Sequence, residues 1–445
     1  MENLEPPNCL STASRETDLS DFREAVQFVQ SVDKKATGVY SPPMVKTPAS
    51  LKSLPRNVWA VTLTSFLTDI SSEMLVYLLP LFLFNILGVK TNVIGLIEGV
   101  AETTASLLKV FSGWLSDKLG QRKWLAVAGY GLSTLSKPFF FIVNTWEQVL
   151  VVRFADRLGK GLRTAPRDAL VADSVDEKQR GFAFGLHRAG DTAGAFLGIF
   201  IALSVVWVTQ RTTLTLTLST FHLLVIISTV PAVLAVIGLA VLAQETPIPK
   251  EKRQAPQLSL AGFDARFKLF LLIVVLFTLG NSSDTFLVLR AQAAGLPVLG
   301  VLGMMMTFTF VYTLVSGPAG ALSDKIGRRR LIIGGWLVYG VIYLGFANVT
   351  AGWQAWALMG VYGIYYGTTE GVAKAYVADL VKPEQRGTAY GVFNAAIGLT
   401  AFPASFIAGI LWQGAFGWNG FGPGAPFYFG AVMALGACGL LVSSK

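Results

Sequence analysis

The chain is divided into about twelve apolar runs, each near the roughly 20 residues that an α-helix needs to cross a bilayer. Their centres fall near Phe66, Leu107, Leu132, Leu158, Ala195 and Ile226, and then near Leu276, Met305, Tyr339, Ile364, Phe402 and Ala434. Some are interrupted by Gly, Pro or charge. In hydrocarbon every backbone N–H and C=O must find its partner within the protein, which leaves helices or closed barrels. A barrel is written as short segments of alternating polarity, and this sequence is not. The expected fold class is therefore all-α and integral to the membrane. Only 14% of the residues are charged and 53% are hydrophobic. A soluble domain carries about 25% charged residues, so this chain has too little polar surface for water.

The net charge is +9. Nucleic acid is not the expected partner, because the bases form no soluble patch. They sit in the loops that an even helix count puts on one side: Lys118, Arg122, Lys123, Lys178 and Arg180, then Lys250, Lys252, Arg253, Arg266 and Lys268, then Lys325, Arg328, Arg329, Arg330, Lys382 and Arg386. The opposite loops offer little beyond Lys90, Arg211 and Arg290. The positive-inside rule then puts both termini in the cytoplasm, and the inner (plasma) membrane of a bacterium is the expected location. Cys9 and Cys438 lie at opposite ends of the chain, so neither a disulfide nor a metal centre is expected. Residues 1–53 are polar, without the basic start and apolar core of a signal peptide. They are expected to be a disordered cytoplasmic tail, with a short amphipathic helix over 18–35 as the alternative.

The two halves of the chain repeat. Gly113-Trp-Leu-Ser-Asp117-Lys118-Leu-Gly120-Gln-Arg122-Lys123 is matched by Gly320-Ala-Leu-Ser-Asp324-Lys325-Ile-Gly327-Arg328-Arg329-Arg330, with Asp117 and Asp324 standing 207 positions apart. Val171-Ala-Asp173 with Arg180-Gly181 is matched by Val377-Ala-Asp379 with Arg386-Gly387, and Asp69-Ile-Ser71-Ser72-Glu73 by Gly280-Asn-Ser282-Ser283-Asp284. Internal symmetry in a membrane chain is the signature of a transporter built from two similar halves around a central site. The repeats define residues 54–243 and 267–445 as the two six-helix bundles, joined by a cytoplasmic loop at 244–266.

The loop blocks resemble the Gly-x-x-x-Asp-(Arg/Lys)-x-Gly-(Arg/Lys)-(Arg/Lys) signature of the major facilitator superfamily, which follows helices 2 and 8 of those secondary transporters. Gln121 departs from it, where a base is usual. The resemblance spans roughly residues 55–443. It implies twelve helices in two pseudo-symmetric six-helix bundles that rock about a central site, in a monomer. It says little about the substrate. Read on their own, Gly113 and Gly120 permit a tight turn and close helix approach, and Gly320 repeats the first of them in the second copy. Asp117 and Asp324 stand where a helix meets water and can hold a base. With Arg122, Asp173, Arg180 and Arg328 they form a candidate conformational latch.

Charge inside the spans is where function is expected. The first half holds eight bases there, Lys109, Lys137, Arg153, Arg157, Lys160, Arg163, Arg167 and Arg188, and seven acids, Asp69, Glu73, Glu98, Glu102, Asp156, Asp168 and Asp191. At roughly 2.5–3.5 kcal/mol each in mid-helix, fifteen such charges against lipid would cost about 40 kcal/mol or more. They must face a wet cavity, one another or the helix ends. Arg153, Arg157, Lys160, Arg163 and Arg167 step by 3 and 4 along the fourth span and share one broad face. Arg157, Lys160 and Arg163 are candidate contacts for an anion, since Arg forks bind carboxylate and phosphate. Alternatively the acids neutralise the stripe and form a network coupled to protons; the two can coexist.

Asp69 and Glu73, and Glu98 and Glu102, are i,i+4 pairs. Two carboxylates that close do not both ionise readily, which suits loading and release of a proton. With Asp191, which is i,i+4 from His187, these are the candidate coupling residues. His187 itself reads more readily as a helix-end histidine. Asp191 also replaces the Pro of the Gly-Pro-x-x-Gly-Gly block of proton-antiporting family members, which weakens a drug-antiport reading. The second half is poorer in charge. Asp284, Tyr366 and Glu370 are its candidate substrate contacts, while Met304 to Met306 read as packing.

No Gly-x-x-x-x-Gly-Lys-(Ser/Thr) loop is present, so ATP is not the expected drive. No cofactor, metal or enzymatic activity is expected. The sequence reads as a secondary transporter, coupled to protons or another ion, that moves a small polar solute, an anion being one candidate that the cationic stripe suits. Hydrophobic-drug efflux by proton antiport and ligand sensing without transport are the alternatives.

Overall fold

The computed structural model describes residues 54–211, 213–246, 260–382 and 385–444. The tail at 1–53, with its alternative helix and Cys9, lies outside the described residues, as does the connection at 247–259. Among the described residues the chain is helical and without strands. Twelve helices run back and forth among these residues: α1 (Arg56–Ile86), α2 (Thr91–Leu119), α3 (Arg122–Ser136, extended by the 3-10 turn Lys137–Phe141), α4 (Trp146–Asp173), α5 (Glu177–Gln210), α6 (Leu218–Leu242), α7 (Ala265–Ala293), α8 (Val298–Ile326), α9 (Arg328–Ala347), α10 (Gly352–Asp379), α11 (Arg386–Gln413) and α12 (Ala425–Ser443). Eight are long and apolar enough to cross a membrane on composition alone. The other four are α2, α4 and α10, which carry charge, and the short α3.

The helices form two bundles with one packing pattern. In the first, α1 lies on α5 and α6, α4 on α2 and α3, and α3 on α6. In the second, α7 lies on α11 and α12, α10 on α8 and α9, and α9 on α12. The bundles meet through α2 with α11 and α5 with α8, contacts that exchange under the same pseudo-symmetry. Exposed apolar side chains on α6, such as Ile226, Val230 and Leu234, are more than half accessible. Such a surface is tolerable only against lipid.

Two helices are not continuous. α1 turns at Tyr77 and Leu78, ahead of Pro80, and resumes with a π-turn over Phe82–Ile86. α7 stops at Gly280 and restarts at Thr285, leaving Asn281–Asp284 outside helix. The sequence reading treats each as a single span, and the structure corrects this. Asn, Ser, Ser and Asp in succession favour turns over helix, and the freed backbone is tolerable because it faces a cavity rather than lipid.

The seal between the halves lies on the face away from the charged loops. There a Cβ on Gly95 of α2 would stand 2.2 Å from the Ser405 carbonyl of α11, and one on Gly409 would stand 2.4 Å from that of Thr91. Only glycine lets the two backbones approach so closely. Thr103 donates to the Gly398 carbonyl at 2.6 Å, and Gln413 accepts from the Thr91 N–H at 2.8 Å.

Candidate functional site

Between the bundles lies a cavity of about 510 Å³, lined by α1, α2, α4, α5, α7, α8, α10 and α11. Its first-half wall is ionic. Asp69 and Glu73 come from α1, Glu98 and Glu102 from α2, and Arg153, Arg157 and Lys160 from α4. Gly159 of α4 and Gly129 of α3 leave no room for side chains, since a Cβ on Gly159 would lie 2.5 Å from the Gly129 carbonyl. That contact fixes the rotation of α4 and aims its arginines. Arg153 donates to Glu98 at 3.1 Å, with both side chains buried, and lies 3.8 Å from Asp156. Arg157 pairs with Glu102 at 3.1 Å. Among the described residues Asp69, Glu73 and Lys160 have no oppositely charged atom within 4.0 Å; all three face the cavity.

Arg163, expected on the same wall, is elsewhere. It donates to Ser133 of α3 at 2.7 Å and stacks over the ring of Tyr130 at 4.5 Å. Ten residues of α-helix rotate it roughly 80° from Arg153, which turns it out of the central wall and into the first bundle. A second chamber of about 100 Å³ lies there, behind Asp69 and Glu73, bounded also by Lys137, Asp156 and Arg163. Lys137 is buried and donates to Ser71 and to Ser72. Arg167 pairs with Asp168 at 2.8 Å.

The second-half wall is aromatic and hydroxylic. The α7 break contributes Asn281, Ser282, Ser283 and Asp284; α8 contributes Phe308, Thr309 and Tyr312; α10 contributes Tyr362 and Tyr366. The Tyr362 hydroxyl donates to Asp284 at 3.1 Å. Glu370 does not line the cavity. It accepts from Tyr312 at 3.0 Å, pairs with Lys374 at 3.3 Å and stands 3.9 Å from Arg188 of α5. Arg188 also donates to the Tyr312 hydroxyl, so this cluster ties the two halves together. Met304 and Met305 are fully buried packing residues.

His187 is not a helix-end histidine. It is buried ten residues into α5, bonded to Ser65 at 2.9 Å and 3.6 Å from Asp191. A helix that starts beyond the membrane surface carries its first turns in the loop region, so ten residues in is already bundle interior.

The sequence profile of the Major Facilitator Superfamily matches residues 61–306 and 270–444. The chain belongs to the major facilitator superfamily. An uncharacterised MFS-type transporter of Methanocaldococcus jannaschii is 35% identical over 390 residues, 86% of this chain and 94% of that one. The multi-drug resistance efflux pump PmrA of Streptococcus pneumoniae is 25% identical over 69% of this chain and 76% of its own. Among solved structures, the nucleoside transporter NupG superposes with a TM-score of 0.67 at 16% identity, covering 87% of this chain and 98% of that one. A D-xylose–proton symporter gives 0.67 at 14% identity, covering 87% and 96%. At such identities the structural matches carry the fold alone.

The repeated superfamily motifs occupy equivalent places. Arg122 bonds Asp117 at 3.1 Å and the Ala169 carbonyl at 3.0 Å, and also pairs with Asp173. Arg328 bonds Asp324 at 3.4 Å, Asp379 at 2.5 Å and the Ala375 carbonyl at 2.8 Å. Each set joins α2, α3 and α4, or α8, α9 and α10, within its own half. Arg180 donates to the Ala172 carbonyl. Gly120 (φ 67°) ends α2 in the left-handed region and Gly113 packs against Ala165, but Gly320 faces open space.

Asn281–Ser283, Tyr77, which lines the cavity with Glu73, Tyr312 and the Arg188 tie were not among the sequence candidates. The turn-forming run at 281–284 was a usable signal. Nothing local to Arg188 or Tyr312 marks them, because their meeting depends on how two distant helices face.

Proposed function

We propose that this superfamily member is a proton-coupled secondary transporter of a small polar solute, with Asp69 and Glu73 carrying the proton. The observation that supports this most is the state of the ionic wall. The arginines of α4 are engaged by Glu98 and Glu102, while the Asp69–Glu73 pair faces the cavity with no base in contact. Two adjacent carboxylates in a low-dielectric wall favour sharing a proton over bearing two charges. The serines, threonines and asparagine of the lining fit a polar solute. If that solute bears an anionic group, Lys160 is the base left to receive it, with Arg157 behind. The aromatic second-half wall and the pneumococcal relative favour a second reading, efflux of an apolar drug against protons; the hydroxyl-rich lining weighs against it.

The test is transport in proteoliposomes. Glu73→Gln is expected to abolish accumulation driven by a pH gradient and to keep solute counterflow. Accumulation at the wild-type level in both Glu73→Gln and Asp69→Asn would overturn the assignment of the pair. Ligand binding without counterflow in the unmodified protein would favour a sensor.

A further inference from the structure

The second-half wall has a chemistry that transport of a generic polar solute does not require. Asp284 sits at the break in α7, is bonded to Tyr362, and has no Lys or Arg nitrogen within 4.0 Å among the described residues. Beside it, four rings line the same space. Tyr366 stands nearly perpendicular to Phe308 (5.6 Å, 82°) and to Tyr312 (5.2 Å, 84°), and Tyr362 lies 5.5 Å from Phe308. Tyr366 is set edge to face against both, Phe308 and Tyr312 lie nearly parallel to each other (6.2 Å, 13°), and all four rings border the cavity. A ring face attracts a cation within about 6 Å. Arg188 already uses the wall in this way, its guanidinium 5.9 Å from the Tyr312 ring. Six acids and four bases line the whole cavity. The pairs Arg153–Glu98 and Arg157–Glu102 cancel, and the remainder is acidic.

We propose that Asp284, Tyr362, Tyr366 and Phe308 form a receptor for a cationic nitrogen, so that the transported solute bears an ammonium or alkylated amine group. The carboxylate supplies the countercharge. The rings supply a surface that holds the cation without hydrating it, and the Tyr362 hydroxyl orients the carboxylate. This rests on the reading of the cavity as the solute site.

The experiment is calorimetric titration of the purified full-length chain with choline, with ethanolamine, and with the carbon isostere of choline in which a quaternary carbon replaces the nitrogen. The cations are expected to bind at least about tenfold more tightly than the neutral isostere. Asp284→Asn should erase that preference, Asp284→Glu should retain part of it, and Tyr366→Phe should keep what Tyr366→Ala loses. The glutamate and phenylalanine variants keep the test valid if the asparagine variant fails to fold. Equal binding of cation and isostere overturns the proposal, as does an undiminished preference in folded Asp284→Asn. Proton-coupled uptake of a neutral or anionic solute with no response to cations would sink this inference and leave the coupling reading intact. Cation binding lost in Asp284→Asn, with accumulation indifferent to Glu73→Gln, would do the reverse.

Discussion

Arg153 shows how a charge can be held in the membrane interior without serving as a binding group. Its guanidinium lies between Glu98 and Asp156, and both it and Glu98 are buried. Removing one member of such a pair leaves the other uncompensated, which typically costs about 3–5 kcal/mol. Arg153→Gln should therefore lower the melting temperature of the protein in detergent by several degrees. Glu98→Gln placed in the same chain should restore most of the loss. Wild-type melting of the single variant would mean that the pair is solvated and adds little. Arg157 predicts differently. Its partner Glu102 is 42% exposed to the cavity, so water can compensate part of the loss, and Arg157→Gln should cost less stability than Arg153→Gln. Side-by-side melting curves rank the two. Spacing along α4 places all these bases on one broad face, and that much is legible from sequence. Which acid each base meets is not, because Glu98 and Glu102 come from α2, whose rotation against α4 is set by contacts such as Gly161 with Ala105.

At the scale of elements, α2 and α11 carry the seal, and it is tight because glycines allow backbone contact. A side chain at Gly409 has no free volume, since its Cβ alone would fall 2.4 Å from the Thr91 carbonyl. Overpacking of this kind costs about 1–3 kcal/mol, and here the cost falls only on conformations in which α2 and α11 touch. Gly409→Val should thus shift the population toward opening on that face. A cysteine placed at Ser106 should become more reactive to a membrane-impermeant thiol reagent added there, while uptake falls. Unchanged labelling and uptake would show that the two helices need not meet. The twelve helices, their order and their division into repeated halves were readable because hydropathy and duplication are properties of the local sequence. The break in α7 was readable in part from Asn281-Ser-Ser-Asp284, whereas the break in α1 has only Pro80 to announce it. The pairing of α2 with α11 was not readable. Gly95, Gly99, Gly398 and Gly409 are spaced for close packing, but nothing in the spacing says against which helix.

For the whole molecule, the pseudo-symmetry that relates α2–α11 to α5–α8 supplies a mechanical argument. Alternating access needs two interfaces between the halves that close in turn. The one away from the charged loops is sealed by backbone contact, with Gln292 of α7 also donating to the Leu214 carbonyl. Nearer the charged loops, the described ties between the halves are the polar contacts of Arg188 with Tyr312 and Glu370, on side chains that remain partly exposed. Hydrogen bonds to exposed groups exchange readily with water, whereas interlocked backbones do not separate without moving a whole helix. Opening the sealed face should therefore be the larger movement, and pinning that face should stop the cycle. Cysteines in place of Thr91 and Gln413, positions joined by the bond from the Thr91 backbone N–H to the Gln413 side chain at 2.8 Å, provide the pin. In a background with Cys9 and Cys438 replaced, a short thiol-reactive crosslinker should abolish uptake in proteoliposomes. A reducible form of the crosslinker should restore uptake on reduction. Solute binding measured on the crosslinked protein should persist, because Arg188, which lines the cavity, is itself 61% exposed. Full transport by quantitatively crosslinked protein would show that the two halves do not separate at this face, and the rocking mechanism would fail with it.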